Sequence, residues 1–122
     1  MNPTKEALGV KNYLTYIENR LRYVKLLLNG VECNEYRYYS SMLNRIKKWS
    51  KNHAVFYAHS CGKVSTEEGK MLLGVPDRTF YRMMRKQRKE FILFIKQQEV
   101  ALAKEYPFIP VSDIFEQLVV EA

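Results

Sequence analysis

The stretch at residues 64–91 constrains the fold most strongly, because it reads as two helices joined by a tight corner. Gly74 can adopt the left-handed backbone that ends a helix, and Pro76 with Asp77 suits the first turn of the next one. Val75 lies between Gly74 and Pro76, and its apolar side chain can fill the space at the corner between the two helices. The first helix begins with a plausible cap and an acidic first turn, which the helix dipole favours: Ser65 or Thr66 as the cap, then Glu67 and Glu68.

The second helix of this pair is densely basic. Residues 77–89 hold six basic side chains against one acid. Such an excess repels itself unless an anion lies alongside, and nucleic acid is the anion that fits best. The six are Arg78, Arg82, Arg85, Lys86, Arg88 and Lys89.

The charge of the whole chain follows the same distribution. The net charge is +7 over 122 residues, which is the size of one domain and leaves no room for a separate catalytic domain. Thirteen basic and three acidic residues fall within 37–89, whereas two basic and six acidic residues fall within 90–122. The pattern predicts a binding module with a basic middle and an acidic tail, and not an enzyme.

Helical spacing of apolar residues continues along the rest of the chain, and no strand-like alternation occurs. We predict an all-α fold in one domain: an N-terminal helix within 1–33, a DNA-binding core at 34–96 and an acidic tail at 97–122. Helices are expected at 5–29 after a Thr4 cap, at 34–48 capped by Asn34, and at 51–60 capped by Ser50. The basic helix meets no break before Pro107, and a short terminal helix should follow a Ser112 or Asp113 cap.

The N-terminal helix carries apolar residues at alternating spacings of four and three. Such a seam is typical of a helix that packs along its own domain, and it is equally typical of a dimer interface. The two uses are compatible. The seam consists of Val10, Leu14, Ile17, Leu21, Val24 and Leu28.

The central pair has the parts that a helix-turn-helix needs, namely a brace, a small turn residue, an apolar plug and a second helix with one face free. Leu72 and Leu73 should brace, and Phe80 with Met83 or Met84 should anchor the second helix. The face left for DNA is Arg78, Thr79, Tyr81, Arg82, Arg85, Lys86 and Lys89. Arginine can pair with guanine edges, while the other side chains contact the backbone.

Residues 51–91 resemble region 4 of bacterial sigma factors, and residues 76–82 are most similar to the ArpU/RinA-type late transcription regulators of Gram-positive phages. The resemblance implies groove contacts from Arg78, Thr79, Tyr81, Arg82 and Arg85. It implies a phosphate held at the start of the first helix by Lys63, Ser65 and Thr66, and general attraction from Lys86, Arg88 and Lys89. Gly69 and Lys70 depart from the motif, as if a small and a larger residue were exchanged at the helix crossing. Either Gly69 provides the close approach, or Lys70 lays its stem on the core with its ammonium near a phosphate.

Other chemistries fit the sequence poorly. His53, His59 and Cys61 lie close together, but a structural zinc site needs four ligands in paired spacings, so we expect neither a metal nor a cofactor. Without an apolar leader or a long apolar run, Cys33 and Cys61 are expected to be reduced thiols of a cytoplasmic protein that does not enter membranes. The expected function is sequence-specific binding of double-stranded DNA by a transcription regulator, a phage or mobile-element late-gene activator. It could contact RNA polymerase and form a homodimer.

Two alternatives use the same basic helix differently. The small subunit of a phage terminase also handles DNA through such a motif, although about fifty residues precede the motif here. A protein-interaction adaptor or inhibitor could instead direct the basic helix against an acidic protein surface. The oligomeric mass would distinguish a terminase small subunit from a monomeric or dimeric regulator. Binding to random duplex DNA at low salt would distinguish a DNA-binding protein from the adaptor or inhibitor.

Overall fold

The computed structural model describes residues 9–114, and within that range the chain is helical without any β-strand. The all-α prediction is confirmed. A further helical segment begins at Val111 and is described as far as residue 114. The five helices before it are α1 (Val10–Leu27), α2 (Asn34–Lys51), α3 (Ala54–Ser60), α4 (Thr66–Leu73) and α5 (Asp77–Glu105).

The core forms where α1 and α2 run antiparallel to each other and both pack against α5. Tyr13 of α1 meets Phe91 of α5 edge-on, with ring centroids 6.4 Å apart, and Trp49 of α2 also contacts Phe91 and Phe94. One continuous apolar cluster joins these helices to α3. Its fully buried members are Ile17, Met42, Ile46, Phe80 and Leu102.

The apolar seam of α1 lies against this core. Val10, Ile17 and Val24 are buried, and Leu14 and Leu21 are partly buried against the cluster, so the predicted packing within the domain is confirmed. Helix α1 ends two residues earlier than expected, because the backbone turns left-handed after it and has a positive φ at position 29. Its start also differs, because Gly9 is extended with φ −71° and ψ 170°, so α1 begins at Val10 and does not run on from residue 5. The expected cap at position 4 lies outside the described residues. A role of α1 in dimerisation stays a prediction.

The boundary between α2 and α3 differs from the prediction. Helix α2 continues to Lys51 instead of ending at residue 48, since Trp49 is held between Phe56, Phe91 and Phe94 and keeps that turn in the core. Ser50 therefore caps nothing, and its hydroxyl donates to the carbonyl of Lys47. Asn34 is likewise the first residue of α2 instead of its cap, and its amide donates to the carbonyl of Pro107.

The C-terminal part folds back onto the beginning of α2. Helix α5 spans 29 residues without a break, as expected, and the chain is irregular from residue 107 to 110. The predicted caps of the terminal helix were wrong: the amides of Asp113 and Ile114 donate to the carbonyl of Pro110, and helix begins at Val111. Ser112 is instead bound to Arg20. The remainder of that predicted helix lies outside the described residues.

A buried carboxylate on α2 holds the C-terminal segment in place. Glu35 is 1% exposed and accepts two hydrogen bonds from the guanidinium of Arg20, at 2.9 and 3.3 Å. The amide of Val111 donates to the same carboxylate at 2.7 Å, and Arg20 also reaches the hydroxyl of Ser112 at 3.0 Å. We call this set of four residues the clasp. It connects α1, α2 and the segment that follows α5.

Candidate nucleic-acid interface

The corner between α4 and α5 is fixed by local hydrogen bonds and by one glycine. Ser65 caps α4, since its hydroxyl accepts from the amide of Glu68 and donates to the carboxylate of the same residue, both at 3.1 Å. The first of these bonds satisfies a free backbone amide in the first turn of α4, as an N-cap does. Gly74 ends α4 with φ 64° and ψ 38°, and Pro76 precedes the first residue of α5. The predicted start and end of α4 are confirmed.

The two helices cross at Gly69, which is buried against α5. A Cβ atom on Gly69 would lie 2.8 Å from Cε2 of Phe80, closer than real side chains approach. Phe80 is fully buried, and the ring of His59 from α3 meets it edge-on at 5.2 Å. Of the two alternatives predicted for Gly69 and Lys70, the structure therefore shows the close approach of the helices at Gly69.

Lys70 ties the two helices together at their surface. Its ammonium forms ion pairs with Asp77, the first residue of α5, and with Glu67 one turn earlier on α4, at 2.7 Å from the latter. These hydrogen bonds to the two carboxylates raise the pKa of Lys70. The charge of this lysine is therefore engaged within the protein, and it fixes the orientation of α5 relative to α4.

One of the two leucines predicted to pack α4 against α5 does not do so. Leu73 and Val75 pack against the core as expected, but Leu72 is 66% exposed and does not brace α5. The less exposed residues of α4 are Thr66, Gly69, Lys70 and Leu73, so its inner face is centred between Gly69 and Lys70. Leu73 lies on that face, whereas Leu72 is rotated roughly 100° from Leu73 toward solvent. Met71, 82% exposed, adds to the apolar surface outside the corner.

The solvent face of α5 is a continuous basic stripe. The buried residues Phe80, Met84 and Phe91 define the inner side of the helix. At 100° per residue, five basic side chains fall within a sector of roughly 100° on the opposite side. All are exposed, and none forms an ion pair with another residue within 9–114. The stripe consists of Arg78, Arg82, Arg85, Lys86 and Lys89.

The remaining predicted contacts on α5 lie at the edges of the stripe. Tyr81, 52% exposed, and Arg88 lie on the side of α3. Thr79 is half-buried on the other side, so it presents less of its side chain than the arginines do. The structure thus places seven of the eight predicted α5 residues on one exposed surface, with Thr79 at its margin.

The start of α4, the second predicted contact region, is already occupied by internal hydrogen bonds. The hydroxyl of Ser65 caps α4, and that of Thr66 lies 3.2 Å from Nε2 of His59. Lys63 is exposed, but Glu67 and Glu68 place two carboxylates in the first turn. An approaching phosphate would meet these charges, so this end of α4 is a weaker anion site than the α5 stripe.

The histidines and cysteines that could suggest a metal have other contacts. The ring of His53 stacks on Trp49 at 3.8 Å, and burial raises the pKa of the Cys61 thiol. Within the described range, no group of three histidine, cysteine or acidic side chains is placed to hold a metal ion. In the same range, no helix is both long and apolar enough to cross a membrane.

Comparison with known proteins gives no family: the sequence matches no family model, and no curated protein and no solved structure is significantly similar to it. A function for this chain must therefore be inferred from its own residues.

Proposed function

We propose that the protein is a transcription regulator that binds double-stranded DNA in a sequence-specific manner, with the first half of α5 in the major groove. The main support for this proposal is the basic stripe, whose five cations lie on one exposed face and form no ion pair with another residue of the range 9–114. Such a face is stabilised by a polyanion alongside it. The α4–α5 corner holds that face outward.

The dimensions of α5 suit the groove. Residues 78–89 rise over about 16 Å, which corresponds to roughly five base pairs along one strand, and a helix fits the width of the major groove. In this arrangement Arg78, Arg82 and Arg85 would read guanine edges or hold phosphates, and the flanking Lys86 and Lys89 would contact the backbone. The anchored Phe80 and the Gly69 crossing would set the angle at which α5 enters.

The regulatory part of the proposal comes from the resemblance of the corner to sigma region 4 and to phage late regulators. By that resemblance, the protein would activate late genes of a phage or mobile element, with RNA polymerase as a further contact. Met71 and Leu72 support a protein contact, because they leave exposed apolar surface on α4 next to the proposed DNA face. The DNA site and the protein contact would then lie on neighbouring helices.

Selection of bound duplexes from a random pool tests this proposal directly. We expect one enriched site, bound with an affinity that falls with salt at a log–log slope of roughly −5, since about six phosphates are neutralised. A palindromic site would indicate a dimer on DNA, and an asymmetric one a monomer. Binding without any enriched sequence would reject specific regulation and favour a packaging role, while no binding at any salt concentration would favour an adaptor.

A further inference from the structure

Helices α3 and α5 leave an open cleft beside the basic stripe. Its volume is about 450 Å³, within the range of small-molecule sites in proteins. One wall comes from the end of α3 and the other from the side of α5 that turns toward α3. The lining residues are Phe56, Ser60, Tyr81, Met84, Arg85 and Arg88.

The polar groups of this cleft are of the kind that binds an anion. Arg85 and Arg88 contribute two guanidinium groups, and Ser60 and Tyr81 contribute two hydroxyls. No carboxylate is among the described residues that line the cleft, and neither arginine forms an ion pair within that part of the chain. Guanidinium groups bind phosphate through paired, charge-assisted hydrogen bonds, so two of them beside two hydroxyls form a receptor for a dianion.

The floor of the cleft is apolar and points to more than a bare ion. Phe56 and Met84 are 3% and 9% exposed, and they form the bottom of the space between the helices. The ring of Tyr81, which is 52% exposed, adds accessible apolar surface to the same cleft. An inorganic phosphate would fill only a small part of 450 Å³ and would leave this ring in contact with water. A ligand with a flat apolar body would cover the ring while its charged end meets the arginines.

We propose that this cleft binds a small organic phosphate monoester with a planar apolar body. The head group would lie between Arg85 and Arg88, with the hydroxyls of Ser60 and Tyr81 completing its hydrogen bonds. Tyr81 and Arg85 also belong to the proposed DNA surface. The ligand would therefore compete with DNA, and this consequence alone rests on the proposed function.

Phenyl phosphate is the simplest probe of this chemistry. It is titrated into the whole chain in phosphate-free buffer, and amide chemical shifts are followed by ¹H–¹⁵N NMR. We expect saturable shifts centred on Ser60, Tyr81, Arg85 and Arg88. Inorganic phosphate should bind at least roughly tenfold more weakly, because it lacks the apolar body. Equal affinity for the two would overturn the proposal in favour of general attraction to the basic helix.

Three variants test the site, and two of them change exposed residues, so those two do not depend on how well the protein tolerates the substitution. Arg88→Gln should weaken phenyl phosphate binding by roughly tenfold or more, the usual effect of losing a hydrogen bond to a charged group. Lys86→Gln removes the same charge from the same helix outside the cleft, and should change the affinity by less than about threefold. Ser60→Phe should fill the cleft and abolish binding. Equal losses in the two glutamine variants, or binding that survives Ser60→Phe in a folded protein, would contradict the site.

Competition is measured separately, with a fluorescent duplex carrying the selected sequence. Phenyl phosphate should displace the duplex from the unaltered protein, and inorganic phosphate at the same ionic strength should displace it less. If no duplex binds, the proposed function fails while the NMR result on the cleft stands. If duplex and phenyl phosphate bind at once without any mutual effect, the cleft does not regulate DNA binding.

Discussion

Gly69 and Phe80 define the crossing of α4 and α5, because the ring of Phe80 occupies the space where any other side chain at position 69 would begin. The distance from a Cβ at position 69 to Cε2 of the ring would be 2.8 Å, and Phe80 itself is fully buried. The orientation of the basic stripe therefore depends on a buried residue that carries no charge and lies outside the stripe.

Substituting Gly69 tests this crossing. Gly69→Ala should lower the free energy of unfolding by about 1–2 kcal/mol, since overpacking costs about 1–3 kcal/mol and the better helix propensity of alanine returns up to about 1. Thermal denaturation followed by circular dichroism measures the change. Met71→Ala, on the exposed side of the same helix, is the control and should stay within about 0.5 kcal/mol. A Gly69→Ala protein as stable as the control would contradict the tight crossing.

The clasp should be much more sensitive than an exposed ion pair. Glu35→Ala leaves a partly buried Arg20 and the Val111 amide without their acceptor, and should cost about 3–5 kcal/mol. Hydrogen exchange at the Val111 amide should accelerate in the same variant. Glu32→Ala is the matched control, because Glu32 pairs with Arg37 at the surface and should contribute less than about 1 kcal/mol. Similar losses in both variants would mean that the clasp contributes no more than a surface pair.

Alkaline pH should destabilise the fold through its buried tyrosines. Burial raises the pKa of Tyr13 and Tyr39 above the ordinary value of about 10, and it raises those of Tyr38 and Tyr57 as well. Above about pH 10 the unfolded chain then releases protons that the folded chain retains, so the contribution of these tyrosines to stability is constant below about pH 10 and is lost above it. Denaturant titrations at pH 8 to 11 check this. Tyr13→Phe should flatten the decline, and an unchanged decline would exclude Tyr13 as a contributor.

Gln87 interrupts the apolar face of α5, and the structure shows the consequence. Its amide oxygen is buried and has no hydrogen-bond partner among the described residues. Gln87→Met keeps the length of the side chain and removes that group, so it should raise the free energy of unfolding by about 1 kcal/mol. Chemical denaturation measures the gain, and a loss of stability would show that the oxygen is satisfied in solution by water.

The sequence predicts the α4–α5 corner well because its determinants are local. The cap at Ser65, one of the two predicted, and the left-handed Gly74 act through their nearest neighbours and are found in the structure. Asp77 begins α5 as expected, while Pro76 precedes the helix as its extended cap residue instead of lying in its first turn. Periodicity likewise identifies the buried face of α5 through Phe80 and Met84. Features that depend on a few adjacent residues can be read without knowing the tertiary packing.

Features decided by distant contacts are the ones that sequence reasoning misses. The end of α2 depends on Trp49 meeting Phe91 and Phe94, more than forty residues away. The close approach at Gly69 and the exposure of Leu72, which was expected to brace α5, both depend on the rotation of α4 against α5. The clasp joins Glu35 to Val111 across 76 positions, and a buried glutamate gives no apolar periodicity. A glutamate early in a helix reads as a favourable surface charge, so nothing in the pattern marks its burial.

Binding of DNA by the stripe on α5 is tested by comparing two double variants. Arg82→Ala with Arg85→Ala removes two cations from the stripe, and Arg22→Ala with Lys25→Ala removes two exposed cations from α1. Fluorescence anisotropy with the selected duplex, at one salt concentration, gives the affinity of each folded protein. The α5 variant should lose roughly thirtyfold or more in affinity, since each arginine contact contributes about 1–3 kcal/mol, and the α1 variant should lose far less. Equal losses in the two variants, or full binding by the α5 variant, would contradict the assignment of α5 as the DNA-binding helix.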